Sequence, residues 1–286
     1  DMMFQFEEVG MEKVKRNERI AIMTRILVGS PNQSMGLSGF CQRFDAAKSS
    51  ISEDIAIIDD ALKSQGIGRV LTTAGAAGGV HFRPCGQPKD NLDFLSELAD
   101  TLSDPQRVLP GGYIYLSDVL SDPAVMRRMG EIIACAWQDI PIDFVLTMET
   151  KGIPLAMMAS HAMGLPLIIA RRQSKVYEGS AVNISYVSGK GSIESMSLSR
   201  RAVHAGQRTL IVDDFTRDGG TAGGLISLMH EFGIEVAGLS FMLAQSCPPR
   251  KPIEGEKSLL VFAGDGVEQP VRIRPAEWLS LPLRKG

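Results

Sequence analysis

Two adjacent acids, Asp213 and Asp214, stand at the end of an apolar run in the most chemically specific segment of the chain, Leu210-Ile211-Val212-Asp213-Asp214-Phe215-Thr216-Arg217-Asp218-Gly219-Gly220-Thr221. The run reads as a buried strand that delivers a pair of carboxylates at its C-terminal end. Ionised carboxylates only accept hydrogen bonds, so a neighbouring pair suits the 2- and 3-hydroxyls of a ribose. The glycines behind them let backbone N–H groups close round a phosphate at the start of the helix that follows. Thr221 adds a hydroxyl and a helix cap. In open α/β sheets, ligands bind at this edge. The plainer alternative is a strand–helix turn with two solvated acids, and the joint occurrence of acids, paired glycines and threonine argues against it. A second loop points the same way. Met148-Glu149-Thr150-Lys151-Gly152-Ile153-Pro154 follows another apolar run. Its backbone amides, with Lys151 and Gly152, suit a diphosphate.

The segment Asp213 to Thr221 resembles the phosphoribosyl-pyrophosphate (PRPP) signature of type I phosphoribosyltransferases. The segment Thr150 to Pro154 resembles that family's pyrophosphate loop. There are two departures. Asp218 stands where the enzymes usually carry a threonine before the glycine. An acid beside a dianion is unfavourable unless it turns outward or is paired, and Arg217 is the compensating charge at hand. The stretch from Arg171-Arg172 to Tyr186-Val187-Ser188-Gly189-Lys190-Gly191 resembles the flexible-loop region of adenine phosphoribosyltransferases. Those enzymes carry a glutamate general acid/base about where Gly189 stands. Without it, proton transfer to a purine nitrogen loses a catalyst ordinarily worth ~10²–10⁴-fold. The resemblance therefore implies a domain that binds PRPP and is not an enzyme.

The elements that position these loops alternate in kind. Helical patterns over 91–102, 125–137, 154–163 and 221–232 interleave with apolar strand patterns over 144–148, 167–170, 209–212 and 236–243. Such alternation indicates an α/β domain with a mainly parallel sheet. The first third differs. Apolar spacing predicts helices at 20–27, 37–44 and 47–65, then two short strands, 69–73 and 80–83, joined by the small-residue turn Ala74 to Gly79. Three helices and a hairpin are the order of a winged helix-turn-helix. The polar, proline-bearing stretch Cys85 to Asp90 reads as the boundary. The expected domains are 11–84, a winged-helix DNA-binding domain, and 85–286, a phosphoribosyltransferase-like domain for effector binding and dimerisation.

Charge supports a nucleic-acid role for the first domain. Across residues 13–52, seven Lys and Arg side chains stand against Glu18 and Asp45 alone, while Glu53, Asp54, Asp59 and Asp60 cluster just beyond. A local positive face is what phosphate binding needs. The third helix opens Ala46-Ala47-Lys48-Ser49-Ser50, small enough to enter a major groove and polar enough to reach phosphates and base edges. The expected DNA contacts are Arg16, Arg19, Lys48, Ser49, Ser50, Arg69 and Arg83, with His81 also along the wing. A helical protein-interaction module with a solvated charged face is the competing reading.

Composition bounds the rest. A chain of 286 residues suggests about two domains. With 44% hydrophobic and 22% charged residues, disorder is excluded as the default. A net charge of −3 excludes a uniformly basic nucleic-acid glue. The four cysteines, Cys41, Cys85, Cys135 and Cys247, form no CxxC pair, so neither a zinc module nor a disulfide framework is expected. Free thiols fit a reducing cytoplasm. No apolar run approaches the ~18–20 residues of a membrane span.

Longer segments carry a wider resemblance. Phe44 to Ile58 (FDAAKSSISEDIAII), Gln65 to Phe82 (QGIGRVLTTAGAAGGVHF), Leu109 to Leu120 (LPGGYIYLSDVL), Glu178 to Gly189 (EGSAVNISYVSG) and the two loops above are similar to the PurR family, the purine operon repressors of Gram-positive bacteria. The likeness runs from about Met11 to Leu243. It implies a homodimeric, cytoplasmic transcriptional repressor bound to double-stranded operator DNA upstream of purine synthesis genes and released by PRPP. It implies no resident cofactor, with Mg²⁺ accompanying PRPP, and ppGpp or related purine nucleotides as competitors. By position, Asp213 and Asp214 would hold the ribose. Arg217, Gly219, Gly220 and Thr221 would hold the 5-phosphate, and Thr150, Lys151 and Gly152 the pyrophosphate. Phe215 and Tyr113 would stack on a base.

Overall fold

The computed structural model describes residues 14–73, 78–110, 113–173, 179–187, 191–245, 255–264 and 270–280. The chain divides into two compact units, residues 1–84 and 85–286.

The first unit is a winged helix-turn-helix. It runs α1 (Arg16–Gly29), α2 (Leu37–Phe44), α3 (Lys48–Ser64), β1 (Gly68–Thr73) and β2 (Gly79–Pro84). One face of each helix is apolar at helical spacing. Met23 and Leu27, Phe40 and Phe44, and Ile51, Ile55, Ile58 and Leu62 meet Val70, Val80 and Phe82 of the hairpin in a single core. Asp45 turns the chain between α2 and α3 in a left-handed conformation, which Asp tolerates better than most side chains. The strands pair antiparallel from Gly68 opposite Pro84 to Thr73 opposite Gly79. Most of the turn expected at 74–79 lies outside the described residues.

The second unit begins with α4 (Pro88–Leu102), the short pair β3 (Val108–Leu109) and β4 (Tyr113–Ile114), α5 (Ser117–Leu120) and α6 (Pro123–Ala136). Then follow β5 (Phe144–Met148), α7 (Ile153–Met163), β6 (Leu167–Ala170), β7 (Ala181–Val187) and β8 (Ile193–Ser199). It ends with β9 (Arg208–Thr216), α8 (Gly220–Glu231), β10 (Glu235–Gln245), β11 (Leu260–Ala263) and β12 (Arg272–Pro275). Six strands form one sheet in the order β12-β11-β10-β9-β5-β6, parallel except for the β11–β12 pair.

The sheet is buried on both faces, and the strand alternation shows it. Val145, Leu210 and Val212 join the cluster with α4, α6 and α7, whereas Phe144, Leu146, Met148 and Ile211 join the cluster with α8 and the β7–β8 hairpin. Both loops singled out from the sequence leave the C-terminal ends of adjacent interior strands, β5 and β9.

Two expectations need correction. Cys85 and Cys135 are joined by a disulfide, with Cα atoms 5.4 Å apart, so the cysteines are not all free thiols. Their separation of 50 residues hid a contact made only once α6 folds back beside the start of the unit. Cys41 is free and Cys247 lies outside the described residues. Second, Thr221 does not cap the helix that follows, because α8 starts at Gly220 with Gly219 as its N-cap and Thr221 lies inside it. The segment after Arg171 that resembles the flexible-loop region contains an antiparallel hairpin, β7–β8. Among the described residues no helix is long and apolar enough to cross a membrane.

Candidate effector site and nucleic-acid interface

Leu210, Ile211 and Val212 are wholly buried, and β9 then presents Asp213, still 8% exposed, at the sheet edge. Asp213 Oδ1 accepts the backbone N–H of Asp214 at 2.9 Å. Burial and the neighbouring Asp214 charge hold the Asp213 carboxyl well above the ordinary carboxylate range. Burial also raises Asp214, opposed by its hydrogen bond with Asp213 and by the Lys151 charge. The pair is therefore a costly set of acceptors awaiting donors.

The strand runs on to Thr216, farther than its apolar run suggests, and the loop turns at Gly219. Gly219 has φ 76° and precedes α8 without a side-chain cap, so the first N–H groups of the helix have no capping side chain. Asp218 is exposed, the outward orientation an acid needs here. Arg217 turns elsewhere. Its Nε–H donates to Gln245 Oε1 at 2.6 Å, and its guanidinium lies 4.9 Å from the centroid of the Tyr113 ring. That contact brings Tyr113, from the β3–β4 pair, to the phosphate loop. Phe215 instead packs against the main core cluster. Gln245 was not foreseen; no motif marks a buried glutamine at the end of β10.

The β5 loop closes on the acids. A Cβ at Gly152 would lie 2.0 Å from Asp213 Oδ1 and 2.6 Å from Thr147 Oγ1. Gly152 is thus glycine because the loop crosses directly over the acid. Thr147 Oγ1 is buried there without a hydrogen-bond partner. Thr150 and Lys151 are exposed, and the Glu149–Thr150 peptide is cis. The two loops singled out from the sequence therefore lie together, with the Asp213 carboxylate directly beneath Gly152. Gly189, matched to the enzymes' glutamate, lies outside the described residues.

In the first unit, Lys48 and Ser49 are exposed at the start of α3, with Ser50 half-buried beside them. An open concavity of about 570 Å³ is lined by Ser38, Gln42, Lys48, Thr72 and Gly79 among others, so α2, α3 and the hairpin share one surface. The arginines are engaged differently. Arg16 Nε lies 2.9 Å from Asp54 and its Nη2 3.1 Å from Glu53. Arg19 Nε lies 2.6 Å from the buried Asp54. Arg69 forms a two-pronged pair with Asp59, both contacts 2.8 Å, and Asp59 also accepts the Val70 N–H. The acidic cluster after residue 52, visible in the sequence, is the signal that these arginines have internal partners. Arg83 stands opposite Arg69 across the hairpin. His81, half-buried near Arg83, is held below its ordinary pKa by burial first and that charge second.

Residues 15–84 match the family described as bacterial purine repressor, N-terminal, and residues 116–273 match the phosphoribosyl transferase domain. The chain is 40% identical over 252 residues to the purine biosynthesis transcriptional repressor PurR of Bacillus subtilis, covering 88% of each chain. It is 42% identical over 248 residues to the purine biosynthesis transcriptional activator PurR of Lactococcus lactis subsp. lactis, covering 86% of this chain and 92% of the relative. A crystal structure of adenine phosphoribosyltransferase from Thermoanaerobacter pseudethanolicus aligns with TM-score 0.47 and 23% identity, covering 53% of this chain and 88% of that one. With a purine-repressor winged helix in front of a phosphoribosyltransferase domain, and relatives matched across nearly their whole length, this chain belongs to the PurR family of bacterial purine-biosynthesis transcriptional regulators.

Proposed function

We propose that the chain is a homodimeric, cytoplasmic repressor of purine biosynthesis genes that binds double-stranded operator DNA through its winged helix and leaves it when PRPP occupies the second unit. One observation carries the effector reading. The β5 loop at Gly152 lies directly over Asp213, so diphosphate amides and ribose acceptors share one site. The uncapped start of α8 supplies donors for a 5-phosphate. Tyr113, exposed beside the loop, is the stacking partner this reading gives a base, which suits ppGpp or other purine nucleotides as competitors. Mg²⁺ would enter with the diphosphate. Among the described residues no group of three or more His, Cys, Asp or Glu side chains could hold a metal, so the phosphates would supply most of its ligands.

DNA binding is assigned to the exposed start of α3, with Lys48 and Ser49 reaching phosphate and base edges and the β1–β2 hairpin alongside. Induction then follows from linkage: PRPP shifts the chain only by its differential affinity for the DNA-competent and incompetent states.

The test is a mobility shift on purine-gene promoter DNA with and without PRPP, using wild type and the Asp213→Ala/Asp214→Ala double variant. The double variant should bind DNA normally and ignore PRPP. Release of that variant at wild-type PRPP concentrations would place the effector site elsewhere. An active purine phosphoribosyltransferase is the second reading, favoured by the family match of residues 116–273. We expect only background with adenine, guanine, hypoxanthine or xanthine and Mg²⁺-PRPP; measurable nucleotide formation would restore the enzyme reading.

A further inference from the structure

One carboxylate of the β7–β8 hairpin, that of Glu194, meets the Arg172 guanidinium next to the Thr150–Gly152 loop. Tyr186 and Glu194 are direct cross-strand partners. The Tyr186 hydroxyl donates to Glu194 Oε2 at 3.1 Å, and the Arg172 guanidinium donates to the same oxygen. On one side, the Tyr186 ring packs on α8, where a Cβ at Gly224 would lie 2.9 Å from Tyr186 Cγ. On the other, the Arg172 backbone N–H donates to Glu149 Oε1 at 2.6 Å, immediately before the Thr150–Gly152 loop. Arg172 also acts electrostatically on Asp213, so its charge is felt within the site. Its side chain is 59% exposed and that of Glu194 27%. The pair is therefore open to exchange and is not sealed in a core.

We propose that Glu194 is a built-in competitor for the effector: its carboxylate holds Arg172 in the empty chain and yields it to a phosphate group of the bound ligand. This rests on the effector reading above and adds what sets its threshold. A diphosphate carries more negative charge than one carboxylate and is held by other donors, so it displaces Glu194 from a shared cation. No bond is made or broken; one ion pair replaces another. The exchange leaves the Glu194 carboxylate next to a polyanion, a like-charge contact that favours movement of the hairpin. Occupancy of the phosphate loops is thereby transmitted to β7–β8.

The sign of the effect separates this role from a structural one. Glu194→Gln keeps the shape and a hydrogen-bonding oxygen for Tyr186 but releases Arg172. It should bind PRPP and inorganic pyrophosphate roughly two- to fivefold more tightly by calorimetry, the range of an exposed ion pair. PRPP should then release operator DNA at correspondingly lower concentration, with effector-free operator affinity unchanged. Arg172→Gln should bind both anions more weakly, and Glu194→Gln should have no further effect in that background. A folded Glu194→Gln variant with unchanged or weaker anion binding overturns the proposal while leaving PRPP as effector. If pyrophosphate follows the predicted order and PRPP does not bind wild type, the competitor role stands and the effector assignment fails. If neither anion binds wild type, both fall.

Discussion

The Arg19 guanidinium and the Asp54 carboxylate form an ion pair between α1 and α3, Nε to Oδ2 2.6 Å, with the Arg19 side chain 12% exposed and that of Asp54 0%. Arg16 reaches the other oxygen of Asp54 from a side chain that is 53% exposed. The charge pattern of α1 suggests a DNA-facing stripe, and the geometry makes part of it a strut. Leaving a buried charge without its partner costs about 3–5 kcal/mol, and the low end applies to Arg19 because the half-exposed Arg16 still offsets part of the Asp54 charge. Arg19→Ala should therefore lower the stability of the first unit by about 3 kcal/mol, against about 0–1 for Arg16→Ala. Thermal or urea denaturation of the two variants measures this. Unchanged stability with lost DNA binding would place Arg19 at the nucleic acid instead.

Lys48 and Arg69 should differ in kind. Lys48 is exposed at the start of α3, so Lys48→Ala should weaken operator binding and reduce its salt slope by about 1. Arg69 is committed to Asp59, and its hydrogen bonds hold the Asp59 carboxyl below its ordinary pKa. Arg69→Ala should loosen the β1 end of the hairpin by up to about 1 kcal/mol, a partly exposed pair, with little change in salt slope. Equal salt slopes for both variants would contradict the distinction.

Local pattern made much of this molecule legible. Ile51, Ile55, Ile58 and Leu62 declare α3 by spacing alone, and the Val212 to Thr221 segment declares a strand–turn–helix with two acids at its edge because acids, glycines and threonine are contiguous. What stayed hidden was set by contacts between distant residues. Arg19 and Asp54 are 35 apart, so the acidic cluster signals that the arginines have partners but not which acid each one meets. Strands 181–187 and 193–199 alternate apolar residues with serine, asparagine and glutamate, and they pair as a hairpin because Tyr186, Met196 and Leu198 find a core on α8. Gln245 acquires its role only when Arg217 reaches it. The short β11 and β12 strands follow weakly patterned chain, and their pairing with the sheet depends on β10.

Gly152 should tolerate no side chain. Its missing Cβ would fall 2.0 Å from Asp213 Oδ1 and 2.6 Å from Thr147 Oγ1, so Gly152→Ala must push the β5 loop off the acid. Overpacking of this sort costs about 1–3 kcal/mol. The expected result is a folded variant, modestly less stable, that binds operator DNA and fails to respond to PRPP. A normal PRPP response would show that the loop and Asp213 need not sit together.

The Cys85–Cys135 bond closes a loop across a separation of 50 residues in the second unit. In the chain-entropy account such a cross-link is worth about 4 kcal/mol. Dithiothreitol, or Cys85→Ser, should lower the unfolding temperature of the second unit, and reduction should have no further effect on the variant. Titration of the native protein with a thiol reagent should find Cys85 and Cys135 unreactive until reductant is added. Immediate reaction of both would show the pair reduced in solution.

The acid pair should leave a signature in stability against pH. The folded chain holds the Asp213 carboxyl above its ordinary pKa, through burial first and the Asp214 charge second. Between the ordinary value, about 3.9, and the raised one, the folded state therefore binds more protons than the unfolded state. Stability then falls as pH rises through that window, and the whole cost is present above it. Asn at this position carries no charge but keeps an oxygen for the Asp214 N–H, the bond that Asp213 Oδ1 now accepts at 2.9 Å. Asp213→Asn should therefore be more stable than wild type at pH 8, and the advantage should shrink as pH is lowered and vanish near pH 4. Urea denaturation across a pH series checks the trend. The same variant should bind PRPP more weakly, because ribose hydroxyls meet an amide oxygen in place of a carboxylate. An advantage independent of pH would mean that Asp213 does not change protonation on folding. A variant that gains stability at high pH and loses PRPP together would show that the cost of the buried charge is what the ribose hydroxyls relieve on binding.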